Sequence, residues 1–205
     1  WKVTVVSTDK DLMQYHVVLI GDVSGKGMPA ALMVSTLHSA LRLLLDRTVL
    51  GSALLERLNQ HIVESSMANK FITLFLAELD PAAGVFHYFN AGHNPGLLLR
   101  EDGKVEQLGS GGVPLGLLPV ARFQSQSAAI FPGDLVCLYS DGITEAESPS
   151  DEEFGMDRLR ACLASHRDRP LPEVIAALDR EVTAFAEGQP QLDDQTVVLV
   201  RRELA

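Results

Sequence analysis

Two cysteines, Cys137 and Cys162, are all that the 205 residues contain, which excludes a disulfide-stapled secreted scaffold. They fall in a strand-like and a helix-like segment and read as reduced thiols used as small apolar side chains, so the expected compartment is the cytoplasm. Basic residues are also short: 17 Lys and Arg against 27 Asp and Glu leave a net charge of −10. That balance argues against a nucleic-acid partner, because a binder needs a basic face to displace counterions. It also leaves a phosphate site in need of cations. No apolar run reaches the ~18 residues that cross a bilayer, so no membrane span is expected. The start at Trp1 shows no basic leader and no small-residue cleavage site. There is no internal repeat and no low-complexity linker.

What is present suits one domain over residues 1–205, with 46% hydrophobic residues and a mean hydropathy of +0.12. Strands are predicted at Trp1–Val6 and His16–Ile20 around a turn at Thr8–Asp11. Helices follow from Pro29 to about Leu45 and from Ser52 to Ser66, with Leu54, Leu55, Leu58 and Ile62 on one face. Strands are then expected at Phe71–Leu79, Val85–Ala91, Gly96–Arg100, Val105–Leu108, Phe123–Phe131 and Leu135–Ser140. Helices at Phe154–His166 and Pro172–Ala186 and a strand at Thr196–Arg202 close the chain. Long runs of consecutive strands with paired helices predict an α+β layered fold of mostly antiparallel sheets.

Three aspartates stand at the ends of apolar strands: Asp22 after Val17–Gly21, Asp141 after Leu135–Ser140, and Asp193, with Asp194, just before Thr196–Val200. A carboxylate beside a buried strand is costly unless paired or metal-bound. Three such acids far apart in sequence suggest one oxygen-rich site for a hard divalent cation, and so metal-assisted phosphoryl chemistry.

The loop Gly21-Asp22-Val23-Ser24-Gly25-Lys26-Gly27 is not a Walker A loop, which needs four residues before its Gly-Lys pair and Ser or Thr after it. Its glycines let the Asp22 carboxylate and the Val23 carbonyl face one cation; a plain strand-to-helix turn with a capping Asp is the other reading. In Asn90-Ala91-Gly92-His93-Asn94-Pro95, turn chemistry explains all but His93, which is either a hydrogen-bonded structural histidine or a phosphate contact or proton donor. His16, His38, His61, His87 and His166 show no ligand spacing and receive no role. Glu145 reads as a solvated residue at a helix start. Asp193 and Asp194 would repel unless a cation or donors neutralise one, and Thr196 is placed to orient them.

These blocks, with Pro132-Gly133-Asp134 and Tyr139-Ser140-Asp141-Gly142-Ile143-Thr144-Glu145, occur in the order that resembles a bacterial SpoIIE/RsbU-type serine phosphatase domain of the metal-dependent PP2C (PPM) class. The resemblance covers essentially the whole chain. It implies an α-β-β-α sandwich of two antiparallel sheets flanked by helix pairs, with two divalent cations, Mn2+ or Mg2+. Carried over by motif, Asp22 bridges both ions, the Val23 carbonyl binds one, and Asp141 and Asp193 complete the second ion's ligands, with Asp194 behind them. The implied reaction is attack of metal-activated water on a phosphoserine or phosphothreonine protein, typically a STAS-type anti-anti-sigma factor.

Two departures matter. The family carries a Gly-Gly-Asp segment just upstream of this sequence, so the chain is expected to be the C-terminal catalytic part of a longer protein with a sensor or receiver domain, and a homodimer is an open expectation. Ser24 stands where eukaryotic-type enzymes carry a proton-donating histidine, leaving Lys26, His93 or bulk water. The rival reading is a pseudo-phosphatase used as a dimerising or partner-binding module; a metal-dependent phosphodiesterase or nuclease fits the charge poorly.

Overall fold

Consecutive strands joined by tight turns pair antiparallel, because the chain has no length for a crossover. The computed structural model describes residues 4–10, 13–45, 50–65, 70–109 and 111–203. In chain order these form β1 (Thr4–Lys10), β2 (Met13–Val23), α1 (Met28–Leu45), α2 (Ser52–Ser65), β3 (Ile72–Asp80), β4 (Val85–Ala91) and β5 (Gly96–Leu99). Then come β6 (Val105–Leu108), β7 (Gln126–Ala129), β8 (Leu135–Tyr139), α3 (Asp141–Thr144), α4 (Gly155–His166), α5 (Leu171–Ala186) and β9 (Val197–Arg201). One sheet has the order β1-β2-β3-β4-β7 and the other β6-β5-β8-β9, every pair antiparallel. The α+β expectation holds. The chain divides into two compact units, one of Thr4–Pro95 with Gly109–Ile130, the other of Gly96–Leu108 with the chain from Phe131 onward.

In the first unit the period of two along β3 sends Ile72, Leu74 and Leu76 to one face, where they meet Leu54, Leu55, Leu58 and Ile62 of α2 and Met33, Leu37 and Leu41 of α1. Burying each such side chain contributes about 1.5–3 kcal/mol. Phe75, on the opposite face, stacks on Tyr88 with ring centroids 5.1 Å apart. The one buried polar side chain of α2, Asn59, binds the glycine-rich loop that contains Gly111, Gly112 and Gly116: it accepts from the Gly116 N–H at 2.9 Å and donates to the Leu118 carbonyl, just beyond it, at 2.9 Å.

In the second unit all five residues of β8 are buried, and Leu97, Leu99, Leu135, Cys137 and Tyr139 pack against Leu159, Cys162, Leu163, Val174, Leu178 and Val182 of α4 and α5. Asp134, in the turn before β8, is buried and accepts from Arg100 at 2.7 Å and from the Phe131 N–H at 2.9 Å. Its place in the Pro-Gly-Asp block is therefore structural. Arg100 also holds Glu106 at 2.9 Å.

Several boundaries differ from the sequence reading. Thr8, Asp9 and Lys10 lie inside β1, paired with Tyr15, Gln14 and Met13, because the hairpin continues further than its polar residues suggest; Asp11 and Trp1–Val3 lie outside the described residues. The strand expected over Phe123–Phe131 is only four residues long, since β4 alone pairs with it. The short helix α3 was not anticipated.

Two outcomes follow. Asn59→Leu leaves the Gly116 N–H and the Leu118 carbonyl without their partner and should cost about 1–3 kcal/mol in a urea titration. Arg100, then Lys104, hold the Glu106 carboxyl at about 2 instead of its usual 4.5. A depressed folded-state value stabilises above 4.5 and is lost as pH falls toward 2. Glu106→Gln should therefore flatten the acid limb of stability against pH; an acid limb identical to that of the parent would contradict this.

Candidate metal centre

The residues singled out in the sequence fall in both units. In the first, Asp22 and Val23 are the last residues of β2 and pair with Thr73 and Ile72 of β3. Asp22 is thus anchored inside the ladder, one strand end later than the sequence suggested. Across from it, the Thr73 hydroxyl accepts from the Asp22 N–H at 3.3 Å and lies 2.9 Å from His93 Nδ1. His93 is buried, and its own N–H donates to Asn90 Oδ1 at 2.8 Å. Gly92 permits this turn: its φ is +70°, and a Cβ there would sit 2.5 Å from Pro114 Cδ. These hydrogen bonds tie His93 to the strand end that carries Asp22.

Ser24 continues the same ladder. Its N–H donates to the Phe71 carbonyl at 3.0 Å, and its hydroxyl accepts from the Phe71 N–H at 2.9 Å. The Lys70 ammonium donates to the Ser24 carbonyl at 3.1 Å. Sequence reasoning passed over Thr73 and Lys70, because each reaches the Asp22 loop only through the pairing of β2 with the start of β3.

In the second unit Asp141 opens α3 directly after β8, and its Oδ1 accepts from the Gly142 N–H at 2.9 Å. Ser140 joins this segment to the other acidic one. Its hydroxyl donates to the Asp194 carbonyl at 2.8 Å and accepts from the Thr196 N–H at 2.8 Å. Thr196 therefore reaches the site through its backbone, whereas Ser140, quoted in the motif and assigned nothing, is the residue that ties it together. Gly142 is the second requirement, since a Cβ there would lie 2.6 Å from the Asp194 carbonyl oxygen. Asp193 Oδ1 accepts from the Asp194 N–H at 2.8 Å.

Glu145 stands at the end of α3, not at a helix start. Burial, and then the charges of Asp141, Glu153 and Asp193, push its carboxyl above the usual range. The second unit thus concentrates negative charge where β8 and the residues before β9 end. Among the described residues, Asp141, Asp193 and Asp194 do not converge as a set of three oxygens within 4.8 Å; bare carboxylates repel, and a bound cation is what draws such groups in. Carboxylates with backbone carbonyls are the donor set that Mg2+ and Mn2+ prefer, so these residues fit such an ion. Beside them opens a cavity of ≈340 Å3, lined by Glu145, Glu147, Glu153, Thr183, Gln191 and Asp193 among others.

Ser140→Ala removes both hydrogen bonds of the hydroxyl and leaves the Asp194 carbonyl and the Thr196 N–H unsatisfied. A loss of about 1–3 kcal/mol in chemical denaturation is expected.

Residues 14–203 match the family model "Stage II sporulation protein E (SpoIIE)". Phosphoserine phosphatase RsbU of Bacillus subtilis is 28% identical over 190 residues, covering 91% of this chain and 56% of that protein. The chain spans between a third and a little over half of the length of the curated relatives it matches. Among solved structures, the SiaA-PP2C domain of Pseudomonas aeruginosa superposes with a TM-score of 0.78 at 20% identity, covering 97% of this chain and 79% of that one. RsbX in complex with magnesium superposes with a TM-score of 0.68 at 14% identity, covering 96% and 85%. The two antiparallel sheets and their helices are thus the PP2C fold. With the family match running from Gln14 to Glu203, the chain belongs to the SpoIIE family.

Proposed function

We propose that the domain hydrolyses phosphoserine or phosphothreonine on a regulatory protein, with water activated by two divalent cations, Mn2+ or Mg2+. The observation that carries this reading is the acidic cluster that Ser140 and Gly142 hold together at the end of β8, in a chain of the SpoIIE family. The magnesium in the RsbX structure supports the choice of cation. Asp22, the Val23 carbonyl, Asp141 and Asp193 would hold the ions. Asp194, Thr196 and His93 would position these ligands. When bound, the cations neutralise phosphate charge and supply a water acidic enough to ionise near neutral pH.

The chain's own residues set the rest. Cys137 and Cys162 are buried, and burial pushes both thiols far up, so neither offers a thiolate for a phosphoenzyme route. The Ser24 hydroxyl is engaged with the start of β3 and His93 with Thr73. Lys26, exposed on the loop, the other ring nitrogen of His93, and solvent remain as candidates to protonate the departing alkoxide.

The substrate we favour is a STAS-type anti-anti-sigma factor, met in the cytoplasm, with residues 1–205 acting as one catalytic domain, as a homodimer, under an upstream sensor or receiver domain. The length of the relatives supports control by further domains.

The test is Mn2+-dependent phosphate release from a phosphoserine protein. Asp22→Asn and Asp141→Asn should each lower turnover by about a hundredfold or more, since even residues that only orient metal ligands cost 10–100-fold. Turnover that needs no divalent cation, or that survives both substitutions, would sink the reading, and a folded domain that neither binds Mn2+ nor turns over would be a pseudo-phosphatase.

A further inference from the structure

Outside the acidic centre, the described residues contain one group of three side chains whose ligand atoms all lie within 4.8 Å of one another: Cys162, His166 and Glu181. We propose that these three form a separate site for one borderline transition-metal ion of the Zn2+ class, bridging α4 and α5. Cys162 and His166 are one turn apart on α4, so their side chains share a face, and Glu181 approaches from α5.

The hydrogen bonds around His166 prepare it as a ligand. Ser165 Oγ gives its single hydrogen to the Cys162 carbonyl at 2.9 Å. His166 Nδ1 lies 3.0 Å from that same carbonyl and 2.9 Å from Ser165 Oγ. A carbonyl only accepts and the serine hydrogen is already engaged, so Nδ1 carries the proton and the neutral ring keeps its lone pair on Nε2. A ring proton donated to a backbone carbonyl is the support that ligating histidines usually have.

The Cys162 thiol donates to Glu181, and burial followed by that carboxylate pushes it up to about 12. A cation between them takes the place of the shared proton: the thiol loses H+ to solvent, and a metal–sulfur bond replaces the S–H bond. Thiolate, imidazole and carboxylate together match Zn2+ and leave a fourth position for water. The acidic centre offers no sulfur, so the two sites differ in the metals they select and can be read separately.

Co2+, the spectroscopic stand-in for Zn2+, is titrated into the full chain held in excess Mg2+, which saturates the oxygen ligands. The expected result is a thiolate-to-cobalt charge-transfer band that Zn2+ displaces. The band should vanish in Cys162→Ser, and Co2+ affinity should fall by about 10–100-fold in His166→Gln and in Glu181→Gln. Those two residues are not in the apolar core, so they carry the test even if Cys162→Ser does not fold. No band at saturating Co2+, or a band unchanged in both His166→Gln and Glu181→Gln, overturns the site. Neither outcome bears on whether the acidic centre hydrolyses phosphoserine.

Discussion

Carboxylates at the ends of buried strands repel one another, and here the backbone does not let them move apart. Asp141 begins α3 immediately after β8, all of whose residues are buried. The segment with Asp193 and Asp194 is tied to it by Ser140. Asp22 is likewise held, by its pairing with Thr73 at the end of β2. Acids anchored side by side are costly unless a cation or hydrogen-bond donors offset their repulsion. Strands that exist to fill a core thereby double as rigid mounts, which suits a site whose chemistry depends on oxygen positions more than on any single reactive side chain.

Each unit carries its own apolar cluster of sheet and helices, and in each an acid stands at a strand end. The polar residues inside these clusters act on loops. Asn59 fastens the glycine-rich loop, Asp134 the turn before β8, and His93 the strand end of Asp22 through Thr73. Buried polar groups with satisfied partners give such loops one conformation where water would allow many.

Much of the fold could be read from residue pattern. The period of 3.6 in α2 and the unbroken apolar run of β3 both appear where their spacing put them. Ends were less legible: β1 absorbs the polar Thr8–Lys10, and β7 keeps four residues of a longer alternating segment. Whether a strand continues depends on whether a neighbour remains to pair with it, which local pattern does not encode. Likewise Asp134 looks in sequence like another acid near a strand, and its salt bridge to Arg100, 34 residues away, is what makes it structural.

The sequence by itself determined the longer helices and strands, the ordered acidic motifs and hence the family, because periodicity and motif spacing are local properties of the chain. Only the tertiary structure decided which side chains hold those acids. Ser140 rather than Thr196 offers the side chain that binds Asp194, and Thr73 links Asp22 to His93. The same holds for Glu181, which meets Cys162 and His166, one turn apart on α4, because α5 returns beside α4. Hydrogen bonds and ligand sets form between atoms a few ångströms apart, and that proximity is settled by packing.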